Sequence, residues 1–261
     1  MSNDNWIQYS RQDKVGVITL NRSPVNAYNF IFHQQLNTLL TEVEQDEQVN
    51  CVIFRSSSEK FFCAGADIKE FQANSTKANQ QMVDMARANL ALLDQSKKIY
   101  IAEVAGHCMG GGLEIALACD FRFAAEGSYL IGMSEIKLGL IPGNGGTQRL
   151  VRLIGKVKAL ELLLTGDNIS PQTAHQLGLL NCLHPKAELA QVTLDFALKL
   201  AFGPALANAA TKQAVSVGAE LSLADGLKLE HQLADALCHS QDAKEGFVAF
   251  VEKRTPVYCG K

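Results

Sequence analysis

Short β-branched apolar runs alternate along the chain with longer stretches in which apolar residues recur every three or four positions. VGVITL (15–20) and NCVIFR (50–55) have the length and composition of strands. Between them, Phe32, Leu36, Leu39, Leu40 and Val43 keep a helical spacing among Gln, Thr and Glu residues. IYIAEVAG (99–106) predicts another strand ending in glycine, and FRFAA (121–125) predicts one more after a glycine-led apolar helix. This alternation of two strands and a helix predicts an α/β core.

Beyond about Pro142 the strand signal thins. GTQRLVRLIG and KALELLLTG each read as a helix closing on glycine. ISPQTAHQLG supplies Ser170 as N-cap, Pro171 at the first helical position and Gly178 at the stop. One short strand is predicted in LLNCLH (179–184), and from Ala187 onward the pattern is helical. No low-complexity linker or fixed-period repeat interrupts it. The C-terminal helices are therefore expected to pack on the core or on a neighbouring subunit.

Composition narrows the class of protein. The 261 residues are 47% hydrophobic and 20% charged with a formal net charge of −3, so no dedicated nucleic-acid surface is expected. No apolar run approaches the roughly 18 residues that span a bilayer, and the first residues lack a secretory pattern. Seven scattered cysteines without a CxxC pair fit a reducing compartment, most simply the cytoplasm. The six histidines show no ligand spacing, and no metal is expected.

Three stretches carry candidate chemistry. In FFCAGADIKEF (61–71), Ala64, Gly65 and Ala66 have almost no side chain, which suits a tight loop with Gly65 at positive φ or a ligand lying on the main chain. In HCMGGGLEIALACD (107–120), three glycines open a helix whose first N–H groups have no partner within it. Those glycines fit either close approach of a ligand or close helix–strand packing. Glu114 lies inside this apolar helix, and a buried carboxylate must be paired, protonated or used. In GMSEIKLGLIPGNGGTQRL (132–150), Glu135 precedes a Gly/Pro-rich loop that matches neither nucleotide-phosphate pattern. Two sets of backbone donors and two glutamates together suggest an oxyanion hole with divided acid and base roles.

These stretches, with AFVEKR near the C-terminus, closely resemble the crotonase superfamily, specifically its enoyl-CoA hydratases, from VITLNRSPVNA (17–27) to the last helix. The resemblance implies a crotonase-like spiral of repeated ββα units over residues 1–195. A helical region over 196–261 would serve trimerisation and active-site capping, giving a homotrimer or a homohexamer of two trimers. The implied substrate is an acyl-CoA thioester, with coenzyme A part of the substrate and no separate cofactor, nucleic acid or membrane partner.

By the same resemblance, Ala66 and Gly111 match the oxyanion-hole N–H donors. Glu114 matches the group that activates water toward C3 of a trans-2-enoyl thioester, and Glu135 the donor of a proton to C2. Ser23, Val25, Ala64, Ala66, Asp67, Ile68 and Lys253 match coenzyme A contacts, and the segment 71–90 borders the acyl pocket. Other reactions of the superfamily (double-bond isomerisation, decarboxylation or thioester hydrolysis) and a non-catalytic CoA- or RNA-binding role are the alternatives. Two departures stand out. Ser134 replaces a common proline and offers a hydroxyl to Glu135, and the stretch between Asp120 and Glu135 is one residue longer than usual.

Overall fold

The computed structural model describes residues 5–261. The chain opens with an antiparallel pair, β1 (Ile7–Gln12) and β2 (Val15–Leu20), followed by α1 (Phe30–Gln45). Then come β3 (Cys51–Ser56), β4 (Phe61–Cys63), α2 (Ile68–Ala73) and α3 (Thr76–Gln95). The next unit is β5 (Ile99–Val104), β6 (His107–Met109) and α4 (Gly111–Ala118). A third follows as β7 (Phe121–Ala125), β8 (Ile131–Gly132) and a 3₁₀ turn at Glu135–Leu138. Helices α5 (Gly146–Ile154), α6 (Lys156–Thr165) and α7 (Pro171–Gln176) lead to β9 (Cys182–His184). The chain finishes with α8 (Lys186–Ala201), α9 (Ala205–Gly218), α10 (Leu223–Cys238) and α11 (Gln241–Glu252).

Each repeated unit sends its first strand to one sheet and its second to another. The larger sheet runs β1-β2-β3-β5-β7-β9, parallel after the first pair, and the smaller runs β4-β6-β8, all parallel. Strands β2, β3 and β5 are buried along nearly their whole length, which explains their continuous apolar runs. Helix α1 begins where the Asn29 side chain accepts the Phe32 N–H, and it buries Phe32, Leu36, Leu40 and Val43 against this core. All eight residues of α4 are buried, so the glycine-led helix runs through the middle of the molecule.

The structure adds local detail to the pattern read from the sequence. The strand expected over 99–106 is β5, which ends before Gly106; the chain turns there, where a Cβ would lie 2.4 Å from the Lys60 carbonyl oxygen, and β6, unmarked in the sequence, follows at once. Strand β1 gives no sequence signal, since it is an edge with one buried residue of six. The segment 71–90 is divided between α2 and α3, with Ser75 capping the second helix through the Ala78 N–H. Helix α8, which packs on β2, β3, β5 and β7, runs through the anticipated boundary at residue 195. Among the described residues no single helix is long and apolar enough to cross a bilayer. Only the pair α8 and α9, bent by 103°, meets that test together.

Candidate active site

The exits of the three small-sheet strands converge. Residues 64–66 follow β4, residues 110–111 follow β6, and residues 133–135 follow β8. They enclose a cavity of about 380 Å³, lined by Ala66, Gly111, Glu114 and Glu135 together with Tyr28 and Asn144. Phe71, Met82 and Val83 from α2 and α3 form part of its apolar wall, as expected of the segment 71–90.

The backbone donors arise from two local conformations. Tyr28 forms a single parallel bridge with Ala66: the Tyr28 N–H bonds the Gly65 carbonyl, and the Asp67 N–H bonds the Tyr28 carbonyl, both at 2.8 Å. That pattern turns the N–H of Ala66 away from Tyr28 and leaves it free for another acceptor. Gly65, at φ +86°, lets this strand lie against α4; a Cβ there would sit 3.2 Å from Gly111 N. Gly111 is the first residue of α4, so its N–H has no intrahelical partner. The two donors expected from the sequence therefore lie side by side.

The three glycines have three different reasons. Gly110 has φ +51°, and a Cβ would approach Glu135 Oε1 to 2.8 Å. At Gly111 a Cβ would collide with the Tyr28 hydroxyl at 1.8 Å. At Gly112 it would meet the Cys63 carbonyl oxygen at 2.4 Å, which is close helix–strand packing. Of the alternatives left by the sequence, helix–strand packing accounts for Gly112, while Gly110 and Gly111 leave room for the Glu135 carboxyl and the Tyr28 hydroxyl beside the cavity.

Glu114 is 1% exposed and is held across the cavity. Its Oε1 accepts the N–H of Asn144 at 2.6 Å and that of Gly146, the first residue of α5, at 2.8 Å. Arg149 steadies this loop, donating to the Asn144 carbonyl at 2.9 Å and pairing with Asp94. Burial pushes the Glu114 carboxyl above its ordinary range, while the Gly146 and Asn144 N–H groups and the Arg149 charge pull it partway back.

Glu135 is treated differently by its surroundings. Its Oε2 is buried without a partner among the described residues. Burial pushes this carboxyl up, its own N–H offsets part of that, and the charge of Glu114 adds to the rise. Both carboxyls are thus raised by burial, but two N–H donors favour the charged form at Glu114, whereas Glu135 Oε2 has no such donor. The expected hydroxyl bond from Ser134 is not made: its side chain caps nothing, and Glu135 Oε2 stays unpartnered. The longer connection at 126–130 precedes β8, whose pairing with β6 (Cys108 to Ile131, Met109 to Gly132) sets the register of Glu135.

Most of the expected coenzyme A positions cluster beside the cavity. The Val25 carbonyl accepts the Ala64 N–H at 3.0 Å, which brings the segment 23–25 against 64–68. Asp67 caps α2 and pairs with Arg22 at 3.0 Å, while Ile68 is half exposed on the cavity rim. Ser23 is exposed. Lys253 is the C-cap of α11 at φ 56° and does not line the cavity of its own chain. Sequence reasoning missed Tyr28 and Asn144. The one available hint was the glycine-led start of α5, an obvious set of donors for a buried acid.

Known proteins share this sequence pattern and this fold. The profile of the enoyl-CoA hydratase/isomerase family matches residues 10–261. A Dictyostelium discoideum protein named "Probable enoyl-CoA hydratase, mitochondrial" is 40% identical over 252 residues, covering 96% of this chain and 90% of that protein. The mitochondrial enoyl-CoA hydratase of Pongo abelii is 39% identical over 249 residues, 94% of this chain and 83% of its own. The crystal structure of an enoyl-CoA hydratase from Bacillus anthracis superimposes with a TM-score of 0.95 at 38% identity, covering 98% of this chain and all of the other. The chain belongs to the enoyl-CoA hydratase/isomerase family of the crotonase superfamily, and its fold is the crotonase α/β fold with a helical C-terminal region.

Proposed function

We propose that the protein adds water across the 2,3 double bond of a trans-2-enoyl-CoA to give a 3-hydroxyacyl-CoA. The observation that carries this reading is the unequal pair of glutamates on one cavity, beside two free backbone donors. The thioester oxygen lies between the N–H groups of Ala66 and Gly111. Ionised Glu114 takes a proton from water as its oxygen bonds to C3, and the displaced electron pair moves through C2 toward the thioester oxygen. The backbone donors stabilise that enolate-like charge, typically by about 3–4 kcal/mol per donor. Protonated Glu135 then delivers its proton to C2, and proton exchange with solvent restores both carboxyls.

Coenzyme A enters as part of the substrate, with its chain along residues 23–25 and 64–68, and no separate cofactor is required. Apolar residues left exposed on α6 and α11, among them Val157, Phe247, Phe250 and Val251, support assembly as a trimer or a pair of trimers. Lys253 then reaches the coenzyme A of a neighbouring subunit. Seven free cysteines, four of them buried, support a reducing compartment, the cytoplasm.

The test is a product screen with crotonyl-CoA, a 3-enoyl-CoA, malonyl-CoA and a 3-hydroxyacyl-CoA. Hydration of crotonyl-CoA is expected, with a bell-shaped pH dependence of kcat/KM. The acid limb reports ionisation of Glu114 and the alkaline limb loss of the Glu135 proton, both displaced upward by burial. Glu135→Gln should lower the rate at least ~10²-fold and remove the alkaline limb. Turnover confined to another member of the panel would replace hydration by that reaction.

A further inference from the structure

Two buried polar side chains beside Glu114 take no part in the chemistry above. Tyr28 is 4% exposed, and its ring packs edge-on against His33 with 4.4 Å between centroids. Its hydroxyl stands against the first turn of α4, where only glycine at position 111 leaves it room. Asn144, 8% exposed, donates from Nδ2 to that hydroxyl at 3.3 Å while its main-chain N–H donates to Glu114 at 2.6 Å. One residue therefore holds the phenol by its side chain and the carboxylate by its backbone.

The remaining bonding points the same way. Asn144 Oδ1 is buried and unpartnered among the described residues, an arrangement that costs stability and that a smaller apolar side chain would avoid. The carboxamide is thus useful for its N–H groups. The hydroxyl gives those N–H groups an acceptor on a wall fixed by the Tyr28 bridge to Ala66. Burial, and then the charge of Glu114, push the phenol well above its ordinary pKa, so it stays neutral across the working range.

We infer that Tyr28 is a positioning residue for Glu114: its hydroxyl anchors the Asn144 carboxamide and keeps the Asn144 N–H on the catalytic carboxylate. The inference rests on the hydratase reading of the site. The pair ties the loop at 143–145 to the strand that carries the Ala66 donor. Base and oxyanion donors are then held in one frame.

The experiment uses Tyr28→Phe, Asn144→Ala and the double variant in the full-length protein with crotonyl-CoA. Phenylalanine keeps the ring packing and removes only the hydroxyl. Each single variant should lose about tenfold in kcat with KM nearly unchanged, as expected for a displaced catalytic group. The double variant should lose no more than either single one, because the two act as a unit.

The acid limb of kcat/KM should move to higher pH, since a carboxylate with a weakened N–H bond holds its proton more tightly. The charged or titratable groups facing Glu114 are Glu135, Arg149 on α5 and Tyr28, and the first two are untouched by these substitutions. Hydrogen exchange of the amides at 144–146 should accelerate in Tyr28→Phe. Full kcat with an unmoved acid limb in Tyr28→Phe would overturn the inference, as would losses that multiply in the double variant. If the wild-type protein turns over a different thioester, the hydratase reading fails. The same comparison on that substrate still decides the role of Tyr28.

Discussion

Replacing Glu114 by glutamine separates its chemistry from its place in the fold. A carboxamide oxygen can accept both the Asn144 and the Gly146 N–H bonds, leaving its NH₂ where the second carboxylate oxygen meets the cavity. Under the proposed mechanism the base is lost and the scaffold kept, so the hydration rate should fall by about 10²–10⁴, or roughly 3–5 kcal/mol of transition-state stabilisation.

The stability change follows from the direction of the pKa shift. The folded state raises the Glu114 pKa, so above the unfolded value of about 4.3 the native state binds more protons than the unfolded chain. Stability therefore falls as pH rises through the folded pKa, and the ionised carboxylate is a net cost at neutral pH. Glu114→Gln should be at least as stable as wild type at pH 7, with the difference disappearing below pH ~4. Glu114→Ala, by contrast, leaves two buried N–H groups unpaired at about 1–3 kcal/mol each, so it should be roughly 2–6 kcal/mol less stable than Glu114→Gln.

Urea midpoints at matched m-values measure the stabilities, and the fading ultraviolet absorbance of the enoyl thioester measures the rate. Equal stability of the alanine and glutamine variants would refute the anchoring role of the α5 N-terminus. An active Glu114→Gln enzyme would refute its role as base.

Two further outcomes test the packing. Gly112→Ala should cost about 1–3 kcal/mol, because its Cβ meets the main chain of β4 rather than a movable side chain. Gly218→Ala, at the end of α9 with nothing nearer than 3.9 Å, should instead be stabilising by about 0.4–1 kcal/mol in the same denaturation assay. His33 is buried, and its pKa is lowered to about 3 by that burial. The unfolded chain binds its proton first, so lowering the pH from 7.5 to 5 should cost the fold about 2 kcal/mol that His33→Gln does not lose.

The parts of this molecule that could be read in the sequence are those whose cause is local. Glu114 stood out because a carboxylate inside a fully apolar helix needs a reason, and the caps at Ser170, Pro171 and Gly166 follow from one-turn chemistry. What holds Glu114 lies 30 and 32 positions downstream, and no periodicity reports such a bond. Tyr28 was invisible for the same reason: the side chain that bonds its hydroxyl is 116 residues away. The Ser134 hydroxyl shows the converse: it is next to Glu135 in the chain, yet no bond between them forms.

The small sheet has a consequence for how such a protein changes over time. Its strands are only two or three residues long, and under the proposed mechanism the exit of each one delivers a separate working part: one donor, the other donor with the base, and the acid. Chemistry can then be rewritten one repeat at a time, with a new residue at the β8 exit leaving both donors where they were. Connections between elements generally tolerate insertions. The same insertion inside β4, β6 or β8 would slide one part about 3.3 Å out of step with the other two. The modules are free to diverge, but only so long as their shared register is kept.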